Sequence, residues 1–175
     1  MPEQLVITAL GGDRPGIVSE LSDVLHGHGL NIEDSRMSAL GGEFAILLLV
    51  SGEKASIDAI VSNTAELEET LRMKLLIKLT QPMPRPAGLV PYHVEVVSID
   101  HPGIVHKLAS FFSSRNINIV DLETERYAAA HTGSPMFALN MTIGIPSQQS
   151  ISKLREEFLD MCDELNLDAR MSAST

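Results

Sequence analysis

The sequence predicts an α+β protein made of two copies of one βαββαβ unit, each an antiparallel four-stranded sheet with two helices on one face. Three observations predict it. Asp13-Arg14-Pro15-Gly16-Ile17-Val18 returns 87 positions later as Asp100-His101-Pro102-Gly103-Ile104-Val105, a spacing of half the 175-residue chain. Laid without gaps over residues 92–123, residues 5–36 share nine identities, among them Leu21, Asn31, Ile32 and Asp34 with their counterparts. Finally, each half runs through the same order of strand and helix patterns. Two copies are too few for a solenoid, which needs three or more stacked units.

The elements follow in order. Residues 5–10 are short and β-rich, and Gly11-Gly12-Asp13-Arg14 then turns the chain into a helix opened by Pro15. Ile17, Val18, Leu21, Val24 and Leu25 recur at helical spacing, and Gly27 and Gly29 stop the helix. Residues 31–40 and 43–51 read as strands joined by the two-glycine turn Gly41-Gly42. A single helix is predicted over 54–71, with Ile57, Ile60, Val61, Thr64, Leu67 and Leu71 on one stripe, and a strand over 73–80 closes the unit. The second half repeats this with a strand over 92–99, a helix over 102–115, strands over 118–130 and 136–145, a helix over 147–166 and a strand over 167–172. Its hairpin loop, 131–135, is longer and more polar. Each unit is thus ferredoxin-like. The predicted domains are residues 1–80 and 92–175, with 81–91, where Pro82, Pro84, Pro86 and Pro91 cluster, as a semi-rigid spacer.

Units of this size are marginal alone, because small domains bury only about 60% of their chain surface. Pairing of halves or of chains, a homodimer included, is expected. Apolar residues make up 44% of the chain but are mostly aliphatic, with no Trp, two Tyr and five Phe, so stacking platforms for nucleobases are scarce. The net charge of −10 divides evenly, with seven basic and twelve acidic residues up to Pro86 and six and eleven after it. Neutralising phosphates needs clustered Lys and Arg, so direct nucleic-acid binding is not expected. The longest apolar run, Phe44-Ala45-Ile46-Leu47-Leu48-Leu49-Val50, is far short of a membrane span and reads as a strand. No signal-peptide succession opens the chain, and one cysteine, Cys162, cannot form an internal disulfide. The expected location is the cytoplasm.

The duplicated Asp-x-Pro-Gly-Ile-Val motif sits where the first strand passes into the first helix. Asp13 and Asp100 can accept hydrogen bonds from helix amides. Pro15 and Pro102 suit a helix start. Gly16 and Gly103 let a ligand or another backbone approach closely, and the helix N-terminus, with unpaired N–H groups, suits a carboxylate. A capped, tightly packed turn is the plainer reading of the same residues. The second recurrent element, Asn31-Ile32-x-Asp34 and Asn118-Ile119-x-Asp121, opens the second strand, and its Asn amides can bond a neighbouring turn or reach a ligand.

Together these residues, a strand, Asp-Arg-Pro-Gly-Ile-Val and then Gly29-Leu30-Asn31-Ile32-Glu33-Asp34-Ser35-Arg36, resemble an ACT domain, the regulatory βαββαβ module that binds amino acids. More narrowly, residues 5–18 with 31–36 and Glu43-Phe44 resemble the glycine cleavage system transcriptional repressor family, which consists of two tandem ACT domains. The resemblance implies a ligand held between paired domains by the first loop of one and the second strand of its neighbour. Carried over by motif, the ligand-binding residues are Asp13, Arg14, Gly16, Ile17 and Asn31 in the first unit and Asp100, Gly103, Ile104 and Asn118 in the second. It also implies a small amino acid, glycine or serine, as ligand, and a DNA-binding activator of LysR type as protein partner. The first unit is the expected seat of the ligand, since the second has His101 and Asn116 where the first has Arg14 and Gly29. The polar residue often found two places before the Asp is Gly11 in one repeat and Ser98 in the other.

No other pattern offers chemistry. Cys162 shares a helical stripe with Ile151, Leu154, Phe158 and Leu165 and reads as core. His26 and His28, and His101 and His106, have poor chelate spacing, and no metal or cofactor is expected. Walker loops, Gly-x-Ser-x-Gly elbows and His-Glu-x-x-His are absent, so the chain reads as non-enzymatic. The alternative to a repressor is a stand-alone subunit that controls an amino-acid or folate enzyme allosterically.

Overall fold

The computed structural model describes residues 2–82 and 88–174, and the chain divides into two compact units, residues 1–84 and 85–175. In unit 1 the elements are β1 (Glu3–Gly12), α1 (Ile17–Gly27), β2 (Asn31–Leu40), β3 (Glu43–Gly52), α2 (Lys54–Ser62), α3 (Thr64–Leu71) and β4 (Lys74–Thr80). Unit 2 has β5 (Leu89–Ile99), α4 (Ile104–Ser113), β6 (Asn118–Ala128), β7 (Pro135–Pro146), α5 (Ile151–Glu164) and β8 (Asp168–Ala173). Both sheets are antiparallel and four-stranded, in the orders β2-β3-β1-β4 and β6-β7-β5-β8. Each unit is a ferredoxin-like βαββαβ fold.

One helix differs from the sequence expectation. The helix predicted over 54–71 is two, broken at Asn63, whose φ of −100° and ψ of 16° leave the helical range. The cause is local competition for carbonyls: Thr64 Oγ1 donates to the carbonyls of Val61 (2.8 Å) and Ile60 (3.2 Å), and Ser62 Oγ to that of Asp58 (2.7 Å). Val61, predicted on the inner stripe, is 44% exposed near the end of α2. Around the predicted spacer, residues 83–87 lie outside the described residues, and Leu89, Val90 and Pro91 already belong to β5.

Each unit has its own core. In unit 1, Leu5, Ile7 and Ala9 of β1 and Ile46, Leu48 and Val50 of β3 meet Leu21 and Leu25 of α1 and Ile57 and Ile60 of α2. In unit 2, aromatic residues fill the equivalent space: Phe111, Phe112 and Phe158 pack with ring centroids 5.2–5.5 Å apart. Cys162 is buried on α5 beside them, and burial pushes its thiol pKa up to about 12, with Asp163 adding to the shift. The folded protein is therefore expected to resist alkylation at neutral and mildly basic pH, because the reactive thiolate is scarce and shielded. Mass spectrometry after maleimide treatment, with and without denaturant, checks this; rapid labelling of the folded chain would contradict it.

The repeat extends to backbone detail. Gly16 and Gly103 adopt φ/ψ of 90°/−6° and 94°/−1°. The second strand of each unit carries a bulge at the same place, between Ile32 and Asp34 and between Ile119 and Asp121. The x of Asn-Ile-x-Asp is thus the unpaired residue of a β-bulge. Gly29 and Asn116, which differ in sequence, both lie in the left-handed region, at φ 70° and 54°. Asn is one of the few residues that tolerates that region, so the exchange preserves the turn.

Candidate functional site

The β1–α1 and β5–α4 loops are anchored alike, the Asp13 N–H donating to the Gly42 carbonyl at 3.0 Å and the Asp100 N–H to the Pro135 carbonyl at 2.9 Å. Pro15-Gly16 and Pro102-Gly103 then turn the chain, with each glycine in the φ/ψ that the third residue of a type II turn requires. The helices start at Ile17 and Ile104, one residue after the glycine, so Pro15 and Pro102 precede the helices and do not open them. Nor do the aspartates cap: neither helix N-terminus receives a side-chain hydrogen bond. With Glu20 N–H bonded to the Gly16 carbonyl and Lys107 N–H to that of Gly103, the three preceding helical amides of each unit have no intrahelical acceptor. The arrangement presents donors and a positive dipole end to an anionic group.

The two mouths differ in what surrounds them. In unit 1, Arg14 reaches Glu20 through both carboxylate oxygens, at 2.6 and 2.5 Å, and also donates to the Leu71 carbonyl at 3.1 Å. The hydrogen bond from Arg14 holds the Glu20 carboxyl below its usual range and raises Arg14 in turn. Arg14 is thus a strap tying the loop to the first turn of α1 and the end of α3. In unit 2 the equivalent pair is His101 and Lys107, which cannot form this bridge. Among the described residues His101 bonds the neighbouring Pro102 carbonyl (3.2 Å) alone, and a cavity of about 500 Å³ opens between His101, Gly103, Ile104, Val105, His106 and Phe137. A Cβ built on Gly103 meets nothing within 4 Å, whereas one on Gly16 comes within 3.8 Å of Glu20 Oε1. The carboxylate of Asp100 is engaged by Arg126 of β6 at 2.8 Å.

Asn31 lies elsewhere. It pairs with Ser51 at the far end of β3, while the Asp13 loop adjoins Gly42 at the near end. Nine residues of strand separate the two places, about 30 Å. Asn118, opposite Gly144, stands in the same relation to Asp100. Within a unit, the structure brings Asp13, Arg14, Gly16 and Ile17 together, and likewise Asp100, Gly103 and Ile104, but neither asparagine joins its loop. Asn31 Nδ2 donates to Glu33 Oε1 at 3.1 Å, and Ser51 Oγ donates to the same oxygen. These two bonds, Ser51's first, hold Glu33 below the usual carboxylate range. Unit 2 has Val120 and Gly144 in their place. Glu20, Arg126 and Phe137 are residues the motif reading missed. The signal for Arg126 is the pairing of β6 with β7, which sets it beside Phe137 at the loop end of the sheet.

The same loop recurs on two ferredoxin-like units of the ACT class, and the ACT domain family model matches residues 3–78. The glycine cleavage system transcriptional repressor of Escherichia coli (strain K12) is 32% identical over 162 residues, covering 93% of this chain and 85% of the relative. The chain belongs to the glycine cleavage system transcriptional repressor family. A crystal structure of a protein described as a candidate repressor of that family superimposes with a TM-score of 0.76 at 28% identity, over 100% of this chain and 99% of the other. A protein of unknown function from Galdieria sulphuraria matches over the whole of both chains with a TM-score of 0.81 at 26% identity.

Proposed function

We propose that this protein senses a small amino acid, glycine or serine, and represses transcription through a DNA-binding partner, an activator of LysR type. The observation that carries the reading is the twice-built loop, in which a glycine at positive φ, three residues after an aspartate, leads into helix amides that no side chain caps. Such a mouth suits both ends of a zwitterion: the amides take the carboxylate and the aspartate takes the ammonium group, which in unit 2 shares the Asp100 carboxylate with Arg126. Unit 2 is the more receptive of the two, since its mouth lacks the Arg14 strap and opens into a cavity. The need for a partner follows from charge. A chain with 23 acidic and 13 basic residues repels a phosphate backbone.

Titrating glycine and serine calorimetrically into the full chain tests the ligand. Asp100→Asn is expected to weaken binding by about tenfold or more, the worth of one charge-assisted hydrogen bond, and Asp13→Asn to weaken it less. Absence of binding by either amino acid at millimolar concentration would overturn the ligand reading. Sequence-specific DNA binding by the protein alone at physiological salt would overturn the partner reading.

A further inference from the structure

We infer that the sheet face of unit 1 turned away from its helices is the surface on which two copies of this chain associate. Strand β3 is apolar on both sides: Ile46, Leu48 and Val50 face the helices, and Ala45, Leu47 and Leu49 face the other way. A strand with two apolar faces needs cover on both. Four leucines of that outer face are strongly exposed, Leu10 at 50%, Leu40 at 68%, Leu47 at 46% and Leu76 at 71%. The corresponding face of unit 2 is polar across its middle, carrying Glu95, Glu123, Asn140, Thr142 and Arg170, and its exposed apolar side chains Ile99 and Tyr127 lie in the row at the loop end.

The strand register orders this face in rows. Asp34, Leu49, Val6 and Lys78 form one; Arg36, Leu47, Thr8 and Leu76 the next; Ser38, Ala45, Leu10 and Lys74 the third. Turning a second copy about an axis between the faces and parallel to the strands lays β2 over β4 and β3 over β1. Asp34 of one copy then meets Lys78 of the other, twice, while Leu47 lies over Thr8 and Leu10 over Ala45, large against small. An axis across the strands would instead set Lys74 over Lys78, like charge on like. Of the two axes only the first sets opposite charges together, with Lys78 joining Arg36, 2.6 Å from Asp34 in its own strand, and the Arg36 stem lying over Leu76. Four strands about 4.8 Å apart and some eight residues long make it roughly 19 by 26 Å. A pair would bury on the order of 1,200 Å², the lower end of specific interfaces. The proposal is independent of the ligand reading, because the face contains no residue of either Asp-x-Pro-Gly loop.

Sedimentation equilibrium of the full chain across the micromolar range tests it. The wild type is expected to be dimeric, and Leu47→Glu to raise the dimer dissociation constant about a hundredfold or more, with an unchanged circular dichroism spectrum. Lys78→Glu should weaken the dimer, and adding Asp34→Lys should restore it, since the charges are exchanged across the two-fold. A wild type that stays monomeric, a dimer indifferent to Leu47→Glu, or a Lys78→Glu defect that Asp34→Lys does not repair overturns the assignment.

Discussion

Phe158→Ala is expected to lower the melting temperature of unit 2 sharply while that of unit 1 is unchanged. Phe158 is fully buried on α5, with Phe112 at 5.2 Å and Phe111 at 5.5 Å between ring centroids, and truncating such a side chain typically costs about 3–5 kcal/mol in transfer and cavity terms. A unit of this size has a total stability of roughly 4–13 kcal/mol, so the loss is a large share of it. Unit 1 fills the places of Phe111 and Phe112 with Val24 and Leu25 around a separate aliphatic core, so nothing in that core is opened by the change. Calorimetry should resolve a second transition well below that of the wild type, accompanied by loss of near-ultraviolet signal from the aromatic cluster. A single transition with little shift would mean that the cluster is not the keystone of unit 2.

The second large effect is Gly103→Val. With φ at 94° and no atom within 4 Å of a built Cβ, the substitution meets no steric obstacle from the rest of the fold and is opposed by the backbone alone. Residues held in such sparsely populated conformations cost about 1–3 kcal/mol, most for a β-branched side chain. Asn at the same position, which tolerates positive φ, is expected to lose much less. The order Gly above Asn above Val in urea midpoint is the prediction, with slopes unchanged. Equal losses for Asn and Val would show that the penalty arises from something other than φ. Because the same turn aims the helix amides, Gly103→Val should also weaken the amino-acid binding proposed for unit 2 in the fraction that remains folded.

Much of this molecule was legible as local chemistry. The Pro-Gly turns, the Gly41-Gly42 hairpin, with φ of 64° and 91°, and the matching second strands follow from residues adjacent in the chain. The helix caps were less legible. Asp13 and Asp100 have the right chemistry for capping, but a type II turn places the helix start four residues further on, beyond their reach. The break at Asn63 was written in Ser62 and Thr64, yet the continuous stripe of apolar residues hid it, since periodicity persists across a single non-helical residue. The run 44–50 was recognised as a strand, but its two-sided apolar character acquires meaning only once β1 and β4 set Val6, Leu10 and Leu76 beside it.

By itself the sequence determined that one βαββαβ unit occurs twice, and that each copy turns from its first strand into its first helix through the same Asp-x-Pro-Gly loop. These are matters of φ, ψ and short-range periodicity, which a few neighbouring residues set. Only the tertiary structure decided that Asn31 sits about 30 Å from Asp13, that Arg14 straps one loop while the other opens into a cavity, and that the middle of one sheet presents leucines outward where its twin presents carboxylates. Those outcomes depend on which strands pair and in what register, and pairing joins residues far apart in the chain that no local pattern brings together.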